Sequence, residues 1–326
     1  MSWFRFFVLL PLPILTTSAL LLTGAAGQQT TQPKPPVPAA QPAPPKPDPQ
    51  AIAAVDKAIE LLDPKKVGWL EAKIWEKVDT AGFSFQSDGN FLSGPDYRLH
   101  MDLKVRVGGT EGRLTIVSNG TEVWNSIGFG SEDPLISMYN LKEVQKKINS
   151  KDVLPQRGDD FYRSQSFQGI VPLLHNIRQQ MILTKMEPAR FNNRDCQKIA
   201  GVWSPAVAKT LSQDPAKSWP GFSPRSCNLY LDKEAPHFLH RVEWLGPTGH
   251  PEDRVIMQIE FRDPKILKAE AKAPGQTEVK IPKQFAKAFE FDPGNHKVND
   301  TTKSTIEVLT QSAQKAAQQA APAEKK

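Results

Sequence analysis

The chain has 326 residues, 39% of them hydrophobic and 23% charged, with 41 Lys and Arg against 35 Asp and Glu and a formal charge of +6. The basic residues are interleaved with acids, as in Lys142-Glu143 and Glu252-Asp253-Arg254, and form no cationic block with interleaved aromatics. That pattern argues against a nucleic-acid partner and for a solvated mixed-charge surface.

The N-terminus reads as a secretory signal. Arg5 is the sole charge before Lys34, an apolar run follows from Phe6 to Leu22, and Thr23-Gly-Ala-Ala-Gly27 supplies small residues for cleavage near Ala26 or Gly27. The competing reading is an uncleaved membrane anchor, which Pro11 and Pro13 weaken. A periplasmic or secreted location follows. Residues 28–49 form a Pro-rich linker, with nine prolines between Pro33 and Pro49, semi-rigid and unable to build a core. Residues 312–326 are an Ala/Gln/Lys tail expected to be disordered. One folded domain over residues 50–311, about 260 residues, is large enough to bury a full core.

Asp48-Pro49 predicts a helix start, with Ile52, Val55, Ile59 and Leu62 at helical spacing and Pro64 as the stop. A strand over Trp69–Val78 carries Leu70, Ala72, Ile74 and Val78 on one side. Phe83 and Phe85 begin the next strand, which ends near Phe91. From Tyr97 to Val107 every odd position is apolar or aromatic and every even one polar, which predicts one long half-buried strand. Strands over 113–118 and 122–127 follow, joined by an Asn119-Gly120 turn. Long one-sided strands in a meander predict a curved sheet with an apolar concave face.

The period then changes. Asn140-Leu-Lys-Glu143 resembles a capping box ahead of an apolar stripe of Leu141, Val144 and Ile148. A second helix, from Gly169 to about Leu183, carries Leu173, Leu174, Ile177 and Met181. Strands resume at 185–191, 196–203, 227–232, 238–244 and 254–262. A final strand is expected to hold Phe285, Phe289 and Phe291. The fold class is α+β, mostly β: about ten strands in one curved antiparallel sheet.

Cys196 and Cys227 are an even pair in an exported chain and predict a disulfide across the connection Ser204 to Arg225, worth roughly 3 kcal/mol for a loop of about 30 residues. No His or third Cys sits at metal-ligand spacing beside either, and His237 and His240, three apart in an expected strand, point to opposite faces. No metal or cofactor is expected. There is no nucleophile elbow, phosphate loop, dinucleotide fingerprint or His-Glu-x-x-His. Asp159-Asp160 reads as a solvated turn.

Three passages carry a family resemblance. Phe91-Leu-Ser-Gly-Pro-Asp-Tyr-Arg98 is similar to a "Gly, apolar strand, Pro-x-x-Arg" passage. Val117-Ser-Asn-Gly-Thr-Glu-Val-Trp124 is similar to an "Asp-Gly, apolar, Trp" hairpin, with Asn119 in place of the more usual Asp. Phe289-Glu-Phe-Asp-Pro-Gly294 with Val298-Asn-Asp300 is similar to a closing strand and acidic tail. Together they resemble the bacterial lipoprotein-carrier superfamily, the LolA/LolB and LppX/LprG group, over most of Ala51 to Thr305. The resemblance implies a half-open β-barrel with helices as a lid. Its concave face would bind a lipid or lipoprotein acyl chain for transfer between a membrane-bound donor and acceptor. The insertions Gly158 to Arg163 and Ser204 to Pro224 depart from small members of the group.

The candidate lining is Leu99, Met101, Leu103, Val105, Ile116, Val255, Met257, Ile259 and Phe261. The candidate lid residues are Leu173, Leu174, Ile177 and Met181. The same residues also suit an ordinary packed core. The expectation is therefore a non-enzymatic acyl-chain carrier. Its rivals are an exported β-scaffold that binds a protein partner, and a hydrolase using the inserted loops.

Overall fold

A computed structural model describes residues 45–80, 83–150, 153, 169–212, 224–246, 254–268 and 279–310. The expected signal segment, most of the Pro-rich stretch, the C-terminal tail, Asp159-Asp160 and much of both insertions lie outside these residues. Among the described residues no helix is long and apolar enough to cross a membrane.

Helix α1 (Pro49–Leu62) begins where the sequence predicts. The Asp48 carboxylate accepts from the Gln50 amide at 2.8 Å and the Ala51 amide at 3.4 Å, with Pro49 in the first turn. Ala51, Val55, Ala58 and Leu62 form its buried stripe. Asp63 ends α1 and caps the single turn α2 (Pro64–Val67).

Six strands follow as a meander: β1 (Trp69–Thr80), β2 (Phe83–Gly94), β3 (Arg98–Val107), β4 (Thr110–Asn119), β5 (Glu122–Phe129) and β6 (Leu135–Asn140). Helices α3 (Leu141–Ile148) and α4 (Ile170–Gln180) come next. A second meander has β7 (Met181–Phe191), β8 (Arg194–Trp203), helix α5 (Pro205–Ser212), β9 (Ser226–Asp232), β10 (Leu239–Gly246) and β11 (Arg254–Leu267). A 3-10 helix (Lys283–Phe289), a short β12 (Val298–Asp300) and helix α6 (residues 302–310) complete the described chain.

All twelve strands form one open, curved sheet in the order β12-β6-β5-β4-β3-β2-β1-β11-β10-β9-β8-β7. The two meanders join where β1 pairs with β11. Neighbours are antiparallel except β12, which runs parallel to β6. The sheet does not close, so β7 and β12 remain as edges. This is the expected half-open barrel architecture.

Strand parity sorts the side chains. One face carries the row Phe261–Ile74–Gly89–Leu103–Leu114 across β11, β1, β2, β3 and β4. The other carries polar ladders. Arg113 binds Asp102 with two bonds of 2.6 Å, and the Tyr230 hydroxyl and Asn228 amide donate to Glu243 at 3.1 and 3.2 Å. On that outer face the C-terminal segment straps the sheet. Trp69, Leu92, Val279, Phe285 and Phe289 form one cluster, with Trp69 5.9 Å from the Phe285 ring and 5.6 Å from Phe289. Gly94 is required beneath it, because a Cβ there would stand 2.2 Å from the Trp69 ring.

Several expectations need correction. The segment holding Phe285 and Phe289 is a 3-10 helix, not a strand, since its aromatic residues are spaced to meet one indole rather than to alternate across a pleat. Strands β6 and β12 and helix α5 were not expected. Met181 opens β7 instead of closing the lid helix.

The disulfide does not form: Cys196 and Cys227 are free thiols. Cys196 lies opposite Asp232 and Cys227 opposite Gly201 in the β8–β9 ladder. The two therefore sit five positions apart along the pair and, by parity, on opposite faces of the sheet. Cys227 is instead a packing residue, its Sγ 3.1 Å from the Met181 sulfur, and burial pushes its thiol up to about 12.

Two outcomes test this arrangement. Phe289→Ala should cost about 3–5 kcal/mol by opening a cavity beside Trp69, read as a lower denaturation midpoint. In denaturant without reductant, both thiols should take up a maleimide. A mass lacking two adducts would contradict the ladder register.

The covered concave face as candidate functional site

The inner face is built from alternate residues of the two meanders. Leu99, Met101, Leu103, Val105, Ile116, Ile259 and Phe261 are each at most 3% exposed. Phe91 and Phe261 meet edge to face at 5.5 Å. Val255 does not belong to this surface. A bulge between Trp244 and Leu245 shifts the β10–β11 register, leaving Val255 exposed and Ile256 buried. Met257 is half-buried.

Among the described residues the cover is a helix pair. α4 buries Ile170, Leu174 and Ile177, and leaves Leu173 half-buried. Its start is tied to the sheet at Gly169, where a Cβ would sit 3.4 Å from the Phe91 ring. α1 is bound to α4 by Arg178–Asp56 at 2.9 Å. It is anchored to the β7 edge by Asp48, whose amide donates to the Leu183 carbonyl at 2.8 Å and whose second carboxylate oxygen accepts from the Met186 amide at 3.2 Å. One residue thus caps a helix and fastens it to the sheet.

Burial falls off toward the β1–β2 and β3–β4 hairpins. There Val78, opposite Met257 and Phe85, and Val107, opposite Phe85, are half-buried, as is Phe129 on β5. The apolar surface therefore reaches solvent at this end.

One row in from it stands a carboxyl group. Glu76 lies between Ile259 and Ser87 in a row that continues to Val105 on one side and to Val242 and Leu229 on the other. It is 4% exposed. The Ser87 hydroxyl donates to Glu76 Oε2 at 2.8 Å, and Oε1 has no hydrogen-bond partner among the described residues. Burial raises its pKa to about 7 against the lowering effect of the Ser87 bond. Sequence reasoning passed over this residue. The signal was there: Leu70, Ala72, Ile74 and Val78 mark the inner phase, and position 76 falls in it.

On the outer face, β3–β6 and the segment Phe291–His296 line a separate cleft of about 570 Å³. Its cations Arg106 and Arg113 are paired with Asp88, Glu111 and Asp102, and Pro134, Ile136, Phe291 and Pro293 supply apolar parts of its lining.

No protein-family model matches the sequence, and no curated protein matches it. Solved structures do. LprF from Mycobacterium bovis matches at 13% identity and TM-score 0.35, over 67% of this chain and 94% of that one. The MucA/MucB complex of Pseudomonas aeruginosa matches at 9% identity and TM-score 0.28, over 72% and 63%. A putative outer membrane lipoprotein-sorting protein domain from Vibrio parahaemolyticus matches at 13% identity and TM-score 0.24, over 68% and 95%.

Glu76 makes stability depend on pH in a defined direction. Its folded pKa, about 7, lies above the ordinary value of 4.5, so the folded state holds the proton more tightly. The contribution is complete below about 4.5 and is lost as pH rises through about 7, on the order of 3 kcal/mol in total. Melting of wild type and Glu76→Gln from pH 4.5 to 8 should show wild type losing stability relative to the variant as pH rises. Parallel curves would contradict a desolvated carboxyl.

Proposed function

We propose that this protein is an exported, non-enzymatic carrier that holds one acyl chain of a lipid or lipoprotein between the concave face of its sheet and the α1–α4 cover. The observation that carries the reading is the largely apolar face spanning both meanders, interrupted by Glu76 and Ser87. It is covered by separate helices rather than by sheet closure, and its rim of Val78, Val107, Phe129 and Met257 reaches solvent at one end. A methylene moved from water into such a surface gains about 0.8 kcal/mol, so a long acyl chain offsets the displacement of the helix pair. Leu99, Met101, Leu103, Val105, Ile116, Ile259 and Phe261 are the proposed wall, and Leu174 and Ile177 the proposed cover. The chain enters from the half-buried rim, past Met257, whose flexible thioether adapts to different cargo.

A second reading is favoured by the near-complete burial of the inner face. On it, the helices are permanent core and the protein is a β-scaffold for a protein partner.

Native mass spectrometry of the protein purified from its exporting compartment, followed by organic extraction, separates the two. The carrier reading expects one bound, extractable acylated molecule. It also expects saturable uptake of a fluorescent fatty acid by the emptied protein, with Met257→Arg weakening uptake by about 10-fold or more because a cation must be desolvated beside the chain. An empty protein that takes up no probe would overturn the carrier reading and leave the scaffold.

A further inference from the structure

Three donor groups from three adjacent strands converge on the outer face of the second meander. Cys196 of β8 and Asp232 of β9 are directly opposed in the ladder, and His240 of β10 sits at the irregularity between Leu239 and Arg241. Their Sγ, carboxylate oxygen and imidazole nitrogen all lie within 4.8 Å of one another. His240 Nε2 is 2.8 Å from Asp232 Oδ1. Cys196 and His240 are 2% and 3% exposed, while the Asp232 side chain is 20% exposed. We propose that Cys196, Asp232 and His240 bind one divalent zinc-class ion, with solvent in the fourth position on the Asp232 side.

The donor chemistry is a borderline-soft set: one thiolate, one imidazole and one carboxylate. Metal–ligand bonds of about 2.0–2.3 Å in a tetrahedron place donors roughly 3.3–3.7 Å apart. Groups within 4.8 Å of one another need shifts of about an ångström at most to meet this, and the 2.8 Å His240–Asp232 contact opens by about half an ångström. Binding expels the Cys196 thiol proton to solvent, shifts the imidazole proton from Nε2 to Nδ1, and replaces that contact with two metal bonds. Buried cysteine and histidine distinguish the cluster from a patch of surface acids, which needs no ion.

The frame around the donors is fixed. The Asp232 amide bonds the Phe238 carbonyl at 2.9 Å, closing the loop between two of the donors, and the Lys233 amide bonds the Asp195 carbonyl at 3.2 Å, tying that loop to the start of β8 beside Cys196. Phe238 and Phe191 wall the imidazole, at 5.0 and 6.2 Å between centroids. The backbone of Phe191 hydrogen-bonds Cys196, the outer-shell support that metal-bound thiolates receive. The site lies across the sheet from the concave face and is independent of what that face carries.

The test uses tag-free protein stripped with a chelator and then exposed to Zn2+ or Co2+. The expected result is one tightly held equivalent of Zn2+ after gel filtration. The Co2+ form should show a thiolate-to-cobalt charge-transfer band with the intense visible absorption of a tetrahedral ion. Cys196→Ser should abolish the band, and Asp232→Asn should weaken zinc binding at least about 10-fold. Cys227→Ser, on the opposite face, should bind as wild type does. Absence of the charge-transfer band in the wild-type protein would overturn the proposal without reference to any variant. So would a Cys196→Ser protein that retains its zinc.

Discussion

Ile74, Leu103, Leu114 and Phe261 lie in one row across four strands of a sheet that does not close on itself. A sheet curved this way gathers its apolar side chains on the concave side, and no strand is available to cover them. The rest of the architecture answers that constraint. The chain leaves the first meander at β6, supplies α4 before it re-enters at β7, and recruits α1 from the N-terminal end of the domain. Asp48 holds the arrangement together because its carboxylate oxygens serve different masters: one caps α1, the other accepts from the amide of Met186. A cover made of helices rests on side-chain packing and a few polar links, whereas strand closure would add a ladder of backbone hydrogen bonds. Displacing such a cover would leave the strand ladder of the sheet intact.

Glu76 is the exception that marks the site. A carboxyl in an apolar row costs desolvation free energy unless it is protonated or paired, and Ser87 satisfies only one of its oxygens. Its location, one row from the half-buried Val78 and Met257, sets a polar atom near the end of the apolar surface that reaches solvent.

The outer face is divided differently. Beside β1 and β2 the C-terminal strap seals Trp69. Beside β8, β9 and β10 the face is a set of polar ladders ending in Cys196, Asp232 and His240. The thiols illustrate how much follows from parity alone. Five positions along a strand pair put Cys196 with the polar outer residues and Cys227 with the inner packing, so two cysteines that look like partners in the chain never meet.

Residue alternation was enough to locate β1, β3, β4, β5, β8, β9 and β11, because a half-buried strand writes its two faces into a period of two. Asp48-Pro49 and Asn140 announced α1 and α3, because a helix end must satisfy its free amides locally. Those local patterns, with the Asn119-Gly120 turn, were sufficient for the curved sheet and for most of the concave lining. The sequence could not distinguish features that depend on what lies across space. Phe285 and Phe289 are a 3-10 strap because Trp69 is there to receive them. β12 exists because β6 offers an edge, Val255 turns outward because β11 bulges against β10, and Glu76 is buried because the residues beside it in the strand row exclude water from it. The grouping of Cys196 with Asp232 and His240 spans residues 36 and 8 positions apart, a distance only the strand register removes. Local periodicity determined which side of each strand faces inward; the register between strands and the layer packed above them decided which residues meet.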